Sequence, residues 1–381
     1  MATQLHTSIH PEIPPSLLPA SAPRAKLQQT APRKKLIRRT ERDYSQMLRR
    51  GFQFAFLAWN LYLGATFYFW VRHFETGLNT RALSRPAGVE GWLPIAGMMN
   101  LKYWLVTRHV PAVHPAAMFL LIAFLAMSVA MKKSFCGWLC PVGTFSERLW
   151  QLGRKVMGRS FQLPRWLDFW LRGLKYLLLA FFVSFIVWMP AEALRDFMAG
   201  PYGTIADVKM LNFFRGIGIV GVVVLGWLVL LSVLIQNFWC RYLCPYGALM
   251  GLVSLLSPVR IRRDAEACID CGKCAKACPS RLKVDELVQI RSAECTACMA
   301  CVASCPVEGA LQLALPARTA PEAAERWRAR VLRPRAVAAI LAVIFFGVVL
   351  AARMTGHWQT NVPRHVYMLL VPRANEVSHP M

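Results

Sequence analysis

Cys268-x2-Cys271-x2-Cys274-x3-Cys278-Pro279 is followed by the same run again, Cys295-x2-Cys298-x2-Cys301-x3-Cys305-Pro306. Thiolates are soft donors, and three of them two residues apart wrap one face of an iron–sulfur cubane in a single tight loop. The fourth of each run, carried on by a short helix, reaches the other cluster. The spacing therefore predicts two 4Fe-4S clusters with crossed ligand sets. Cys268, Cys271, Cys274 and Cys305 hold the first, and Cys295, Cys298, Cys301 and Cys278 hold the second. Zinc prefers separated cysteine pairs, and disulfides do not persist in a reducing compartment. Neither alternative suits one spacing repeated in full. The 16 residues between Cys278 and Cys295 suffice for a helix and a turn. Gly272, Ala275, Ala277, Ala297, Ala300 and Ala303 let the backbone approach the cubanes. An α+β two-cluster ferredoxin domain of bacterial type is expected over residues 259–315.

The chain around this domain is apolar and basic at once. Of 381 residues, 56% are hydrophobic and 17% charged, yet the formal charge is +25. That pairing excludes wholesale disorder and argues against a nucleic-acid partner. It points to an integral membrane protein with positive loops on one side. Five apolar segments are long enough, or nearly so, to cross the roughly 30 Å hydrocarbon core: 51–71, 115–131, 174–189, 216–238 and 336–352. Segment 92–106 is interrupted by Pro94, Asn100 and Lys102 and is expected to be interfacial or re-entrant. The loop 132–175 carries nine basic and two acidic residues, against five and two in 72–113 and three of each in 191–215. With a basic, proline-broken arm over residues 1–50, this puts the N-terminus and the ferredoxin domain in the cytoplasm. The expected order is then a disordered arm (1–50), a four-helix membrane domain (51–258), the ferredoxin domain (259–315), a linker helix (316–335), a fifth transmembrane helix (336–352) and a periplasmic tail (353–381). The fold class is an all-α polytopic membrane bundle of about five transmembrane helices in two repeated hairpins, with the ferredoxin domain inserted. The chain is expected to be multi-pass in the cell inner membrane, surrounded by its lipid.

The other four cysteines belong to an internal repeat. Phe135-Cys136-Gly137-Trp138-Leu139-Cys140-Pro141-Val142-Gly143 matches Trp239-Cys240-Arg241-Tyr242-Leu243-Cys244-Pro245-Tyr246-Gly247. Two residues four apart share one helix face, and the prolines place each pair where its span ends. Converging near the cytoplasmic interface, Cys136, Cys140, Cys240 and Cys244 form a soft site suited to Cu(I), a redox dithiol or a further iron centre. Buried small residues packing helix ends are the plainer reading. Lys102 and Lys209, followed by Tyr103-Trp104 and Met210-Leu211, suit a quinone head group, although interfacial anchoring is the default for such residues. His73, His109, His114, His357, His365 and His379 all fall on the expected outer side.

The chain over residues 51–312 resembles the NosR/NapH-type polyferredoxin membrane proteins, a group with a cupric-reductase branch among oxidase assembly factors. The resemblance rests on both cluster runs and both C-x3-C-P elements. It also rests on Arg85-Pro86-Ala87-Gly88-Val89-Glu90-Gly91, Leu101-Lys102-Tyr103-Trp104 and Asp207-Val208-Lys209-Met210-Leu211. The tail, with Thr355-Gly356-His357-Trp358 and His379-Pro380, is similar to that of the nitrous-oxide-reductase accessory branch. The resemblance implies membrane-bound electron transfer through two 4Fe-4S clusters. The donor would be the quinol pool or a reductase, and the acceptor a respiratory or metallocentre-maturation partner protein. Its alternative implication is a copper reductase or assembly factor using the C-x3-C-P cysteines. The segment expected before the first span is a basic arm and not a flavin-binding domain, so neither branch's own partner is carried over.

Overall fold

The computed structural model describes residues 39, 43–77, 83–158, 161–315 and 331–379. The expected arm up to residue 38 and most of the expected linker helix lie outside the described residues. The described residues form fifteen α-helices and one pair of strands, joined by short 3-10 and π-helical turns. The first helix, α1 (Ser45–Glu75), begins where the Asp43 carboxylate accepts the Ser45 amide at 2.6 Å. Its last turn carries Arg72, a cation that suits the negative end of the helix dipole. A 3-10 turn (Ala87–Trp92) leads into α2 (Pro94–Thr107), α3 (Pro115–Met131), α4 (Ser134–Trp138) and α5 (Pro141–Met157). Then come α6 (Arg165–Trp188), α7 (Ala191–Ala199), α8 (Pro201–Thr204), α9 (Ala206–Arg215), α10 (Ile219–Leu234) and α11 (Pro245–Val253). The short α12 (Lys273–Ala277) and α13 (Ala300–Ser304) lie between strands β1 (Arg260–Arg263) and β2 (Leu311–Ala314); α14 (Pro334–Met354) and α15 (Arg364–Leu370) close the chain.

Three helices are long and apolar enough to cross a membrane: Ser45–Glu75, Trp166–Trp188 and Pro334–Met354. The helices α9 and α10 would make a fourth crossing together, but they meet at 86°. The apolar segment 216–238 is therefore a 16-residue helix rather than one straight span. Gly216 and Gly218 stay outside the helix at its start, and Ile235 is extended before a turn at Gln236 and Asn237. The third apolar segment is the distal part of a longer helix that starts well before the point hydropathy suggests, in the loop counted as basic.

Helix α3 is apolar all round, and such a helix is a buried one. Ala116, Met118, Leu121, Ala123 and Met127 are almost wholly enclosed, packed by α2, α11 and α14. At Gly97 of α2 a methyl group would meet the Ala117 carbonyl oxygen at 2.8 Å, so only glycine lets these two backbones cross so closely. One hydrophobic core runs from Leu121, Phe124 and Leu341 through Trp138 and Leu139 into Val259, Ile261, Ile290 and Leu313. The cysteine-rich segment is thus packed onto the helices through shared side chains. Its two strands pair antiparallel with Ile261 opposite Leu313, both buried.

Candidate iron–sulfur sites

The eight clustered cysteines separate into two cavities. Cys268, Cys271, Cys274 and Cys305 line one, together with Arg263, Ile269, Asp285 and Val307. Cys278, Cys295, Cys298 and Cys301 line the other, with Ile261, Val284, Ile290 and Met299. Each cavity takes three cysteines from one run and the fourth from the other. The exchange is made by α12 and α13. Each begins after a left-handed residue, Gly272 (φ 66°) or Met299 (φ 57°). Each ends at an extended cysteine, Cys278 or Cys305, and proline comes next in the chain.

The donor chemistry fits an iron–sulfur cluster. Burial pushes the Cys278 thiol up to about 12 and the Cys295 thiol up to about 11, while backbone amides at Leu282 and Ala297 pull them back. The Leu282 N–H lies 3.4 Å from the Cys278 sulfur. Thiols so enclosed ionise when a metal supplies the opposing charge, and amide donors around the sulfurs stabilise the thiolates. Among the described residues no group of three His, Cys, Asp or Glu side chains is placed to hold a single metal ion. A cubane carries its own sulfides and spaces its ligands more widely. The cavities differ in access: Cys271 is exposed, whereas Cys278, Cys295, Cys298 and Cys301 are all buried.

The C-x3-C-P elements depart from the expectation that each pair shares one helix face. Cys136 sits in α4, and Cys240 in a π-helical turn (Trp239–Leu243). Cys140 and Cys244 instead occupy the N-cap positions of α5 and α11, with Pro141 and Pro245 in the first turn. Proline cannot supply an interior helical N–H but is well suited to a first turn. The chain therefore breaks at the second cysteine, whose sulfur accepts the orphan amide of Gly143 (3.5 Å) or Gly247 (3.2 Å). The four sulfurs nevertheless come within electrostatic reach of one another. Burial raises the Cys240 thiol well above its ordinary value, and Cys244, Cys140 and Cys136 raise it further. Cys136 and Cys240 line a cavity of their own with Lys133, Glu294, Arg49, Glu147 and Arg241.

Both elements grip the loops of the buried ferredoxin cavity. The Trp138 indole N–H donates to the Ala297 carbonyl at 3.2 Å. From the other copy, Gln236 donates to the Cys278 carbonyl at 3.0 Å, Asn237 to that of Pro279 at 3.3 Å and Arg241 to that of Ser280 at 2.9 Å. Arg241 is aimed by a two-point ion pair with Asp168, both contacts 3.0 Å. The first element is held from α1: Arg49 and Gln53 donate to the Gly137 carbonyl at 3.2 and 3.0 Å, and both also bind Glu147.

Sequence reasoning missed a second buried polar group. Arg85 donates to Glu90 at 2.7 Å and to Asp207 at 2.7 Å, and its other contact is His114 at 3.1 Å. Glu90, Asp207 and His114 are fully enclosed. Burial alone would raise the Glu90 carboxyl, but Arg85 and His114 hold it below the usual carboxylate range. The signal was present, since Arg85, Glu90 and Asp207 stand in the strings that carried the family resemblance. Lys102 and Lys209, read as anchors or quinone contacts, are instead tied to backbone. Lys102 donates to the Ile186, Val187 and Met189 carbonyls at 2.9, 2.8 and 2.5 Å, closing the end of α6, and Lys209 donates to Ala374 at 2.6 Å.

Comparison with known proteins gives the same two kinds of element. A model described as a 4Fe-4S binding domain matches residues 113–160 and 217–263, which hold the two C-x3-C-P copies. A model described as a 4Fe-4S dicluster domain matches 260–306. The chain is 51% identical to the putative electron transport protein YccM of Escherichia coli K12, over 87% of this chain and 91% of that protein. It is 24% identical to the E. coli ferredoxin-type protein NapH over 56% of this chain and 72% of that one. With the regulatory protein NosR of Pseudomonas aeruginosa the identity is 30%, over 48% of this chain and 25% of that protein. No solved structure matches.

Proposed function

The chain belongs to the NosR/NapH-type family of 4Fe-4S ferredoxin-like membrane proteins, and from that premise we propose how its iron–sulfur electron transfer is laid out. Two 4Fe-4S clusters occupy the two cavities, the first on Cys268, Cys271, Cys274 and Cys305, the second on Cys278, Cys295, Cys298 and Cys301. Each bound cluster supplies a one-electron redox centre. The exposed cavity of Cys271 faces the partner protein. The buried cavity faces inward, because Trp138, Gln236, Asn237 and Arg241 clamp its loops onto the paired-cysteine elements. The observation that carries this reading is that graded burial: one cysteine set is half-buried with Cys271 exposed, the other is wholly buried.

In this proposal Cys136, Cys140, Cys240 and Cys244 form the inner terminus, a third redox site toward the membrane. The helices α1, α3, α6 and α14 and the bent pair α9–α10 provide five crossings. The basic loops then place the ferredoxin domain in the cytoplasm and the tail after α14 in the periplasm. The donor is a quinol or a membrane reductase, and the acceptor is a respiratory or metallocentre-maturation protein. Copper reduction at the four paired cysteines is the second reading, favoured by the electrostatic proximity of Cys136, Cys140 and Cys244 to Cys240. The test is anaerobic purification in detergent, dithionite reduction and low-temperature EPR. The proposal expects 4Fe-4S signals that disappear on reoxidation by an added quinone analogue. Absence of labile sulfide and of any cluster signal would reject it. Copper in place of iron at the paired cysteines would select the second reading.

A further inference from the structure

Two consecutive lysines at the end of α3 lie between the two innermost cysteine sets. Lys132 has φ 59°, a left-handed conformation that a lysine adopts only where the surroundings impose it. Its amide is held by the Ser257 hydroxyl at 3.1 Å, and its carbonyl accepts the Ser134 amide at 2.6 Å. This turn sends the two side chains to different neighbours. Lys132 is 1% exposed, and its ammonium has no hydrogen-bond partner among the described residues. Burial and Arg260 both disfavour its charge, and the group whose negative form would favour it is Cys295, in the buried ferredoxin cavity. A lone buried ammonium is unfavourable unless an anion lies beside it.

Lys133 is 3% exposed and reaches the other set. Its ammonium lies 3.4 Å from Glu294 and lines the cavity with Cys136 and Cys240. A methyl group built on Gly247 would meet both that ammonium and the Cys244 sulfur at 3.5 Å. Glu294 cannot neutralise it alone, because the same carboxylate also binds the fully buried Lys175 at 2.5 Å and Tyr176 at 3.0 Å. Two buried ammonium groups therefore share one carboxylate beside four thiols, which leaves positive charge for a net-anionic, thiolate-bound centre.

We propose that Lys132 and Lys133 are positioning residues that serve as separate counter-charges. Lys132 serves the cluster in the Cys278, Cys295, Cys298 and Cys301 cavity, and Lys133 serves an anionic metal–thiolate centre at Cys136, Cys140, Cys240 and Cys244. The Lys133 half rests on the third redox site proposed above. Reduction adds one electron to each centre, so a fixed cation nearby favours the reduced form and raises the potential. Removing the cation lowers it. The adjacency of the two lysines in sequence makes the pair a junction between the ferredoxin clusters and the inner site.

The experiment is an EPR-monitored redox titration of the full chain in detergent, as wild type, Lys132→Met and Lys133→Met. Lys132→Met is expected to disfavour reduction of a ferredoxin cluster at least tenfold, about 59 mV for one electron, leaving the inner centre in place. Lys133→Met is expected to shift the inner centre by a similar factor, leaving the ferredoxin signals in place. Lys→Arg at either position restores most of the shift. Potentials unmoved in both variants, or the same centre moved by both, would overturn the proposal. Should a Met variant not accumulate, Lys→Gln at that position is read in the same way. A wild-type protein with eight irons and no further metal would reject the third site and the Lys133 half with it, whereas the Lys132 result stands on the ferredoxin signal alone.

Discussion

Glu147→Gln is the substitution whose cost the structure specifies best. Arg49 and Glu147 are buried and joined by contacts of 2.6 and 2.8 Å. Arg49 keeps two weaker acceptors when the carboxylate is lost, Gln46 and the Gly137 carbonyl, both at 3.2 Å. Removing one partner of a buried ion pair costs about 3–5 kcal/mol, and those remaining acceptors put this case near the lower end of that range. For a chain of this size that lowers the thermal midpoint by about 4 °C. Tryptophan fluorescence during heating in detergent measures it. Burial alone would raise the Glu147 carboxyl, but Arg49 and Gln53 hold it below its ordinary value of 4.5. Its contribution is therefore full above about pH 4.5 and is lost as the pH falls through the depressed folded value. The Gln variant should be flatter with pH in that window. Replacing both partners by apolar groups, Arg49→Met with Glu147→Leu, should recover most of the loss, since an uncompensated charge is then no longer buried. A Glu147→Gln midpoint within about 1 °C of wild type would refute the reasoning.

Three other perturbations are specified by the geometry. In Gly143→Ala the new methyl carbon would lie 2.4 Å from the Cys136 carbonyl oxygen, whereas Gly173 has open space. The first variant should lose metal at the paired cysteines by elemental analysis, and Gly173→Ala should keep it. Lys102→Ala releases three carbonyls at the end of α6, costing about 1–3 kcal/mol, with faster limited proteolysis near Met189 as the readout. Glu90 is depressed below 4.5, so the stability it adds is present above that value and is lost on further acidification. Glu90→Gln should be less stable at neutral pH and less sensitive to acid, by thermal midpoints measured from acid to neutral pH.

The parts of this protein that were legible in sequence are those set by local spacing. Three thiols two residues apart need only one turn of loop to face a common centre, and a proline fixes where the fourth leaves. The two crossed cysteine sets and the cavities correspond for that reason. Spacing failed at Cys136 and Cys140, where helical periodicity puts both on one face. It is Pro141 that ends one helix and starts another, leaving Cys140 as a cap. Hydropathy failed differently at 216–238, because it counts apolar side chains and does not see an 86° bend. The roles of Lys132 and Lys133 were hidden in a basic-loop count. Only tertiary packing shows that these two positive residues are buried beside thiols rather than set against lipid. His114 gave no local signal, since its partners Glu90, Arg85 and Gly203 lie far from it in the chain.

The crossed cluster ligation is tested most directly by EPR of four single variants of the full chain, each purified anaerobically. Cys268→Ser and Cys305→Ser are expected to perturb the same 4Fe-4S signal, and Cys278→Ser and Cys298→Ser the other. If the signals instead group by sequence run, with Cys305 following Cys298 and Cys278 following Cys268, the two-cavity account is wrong.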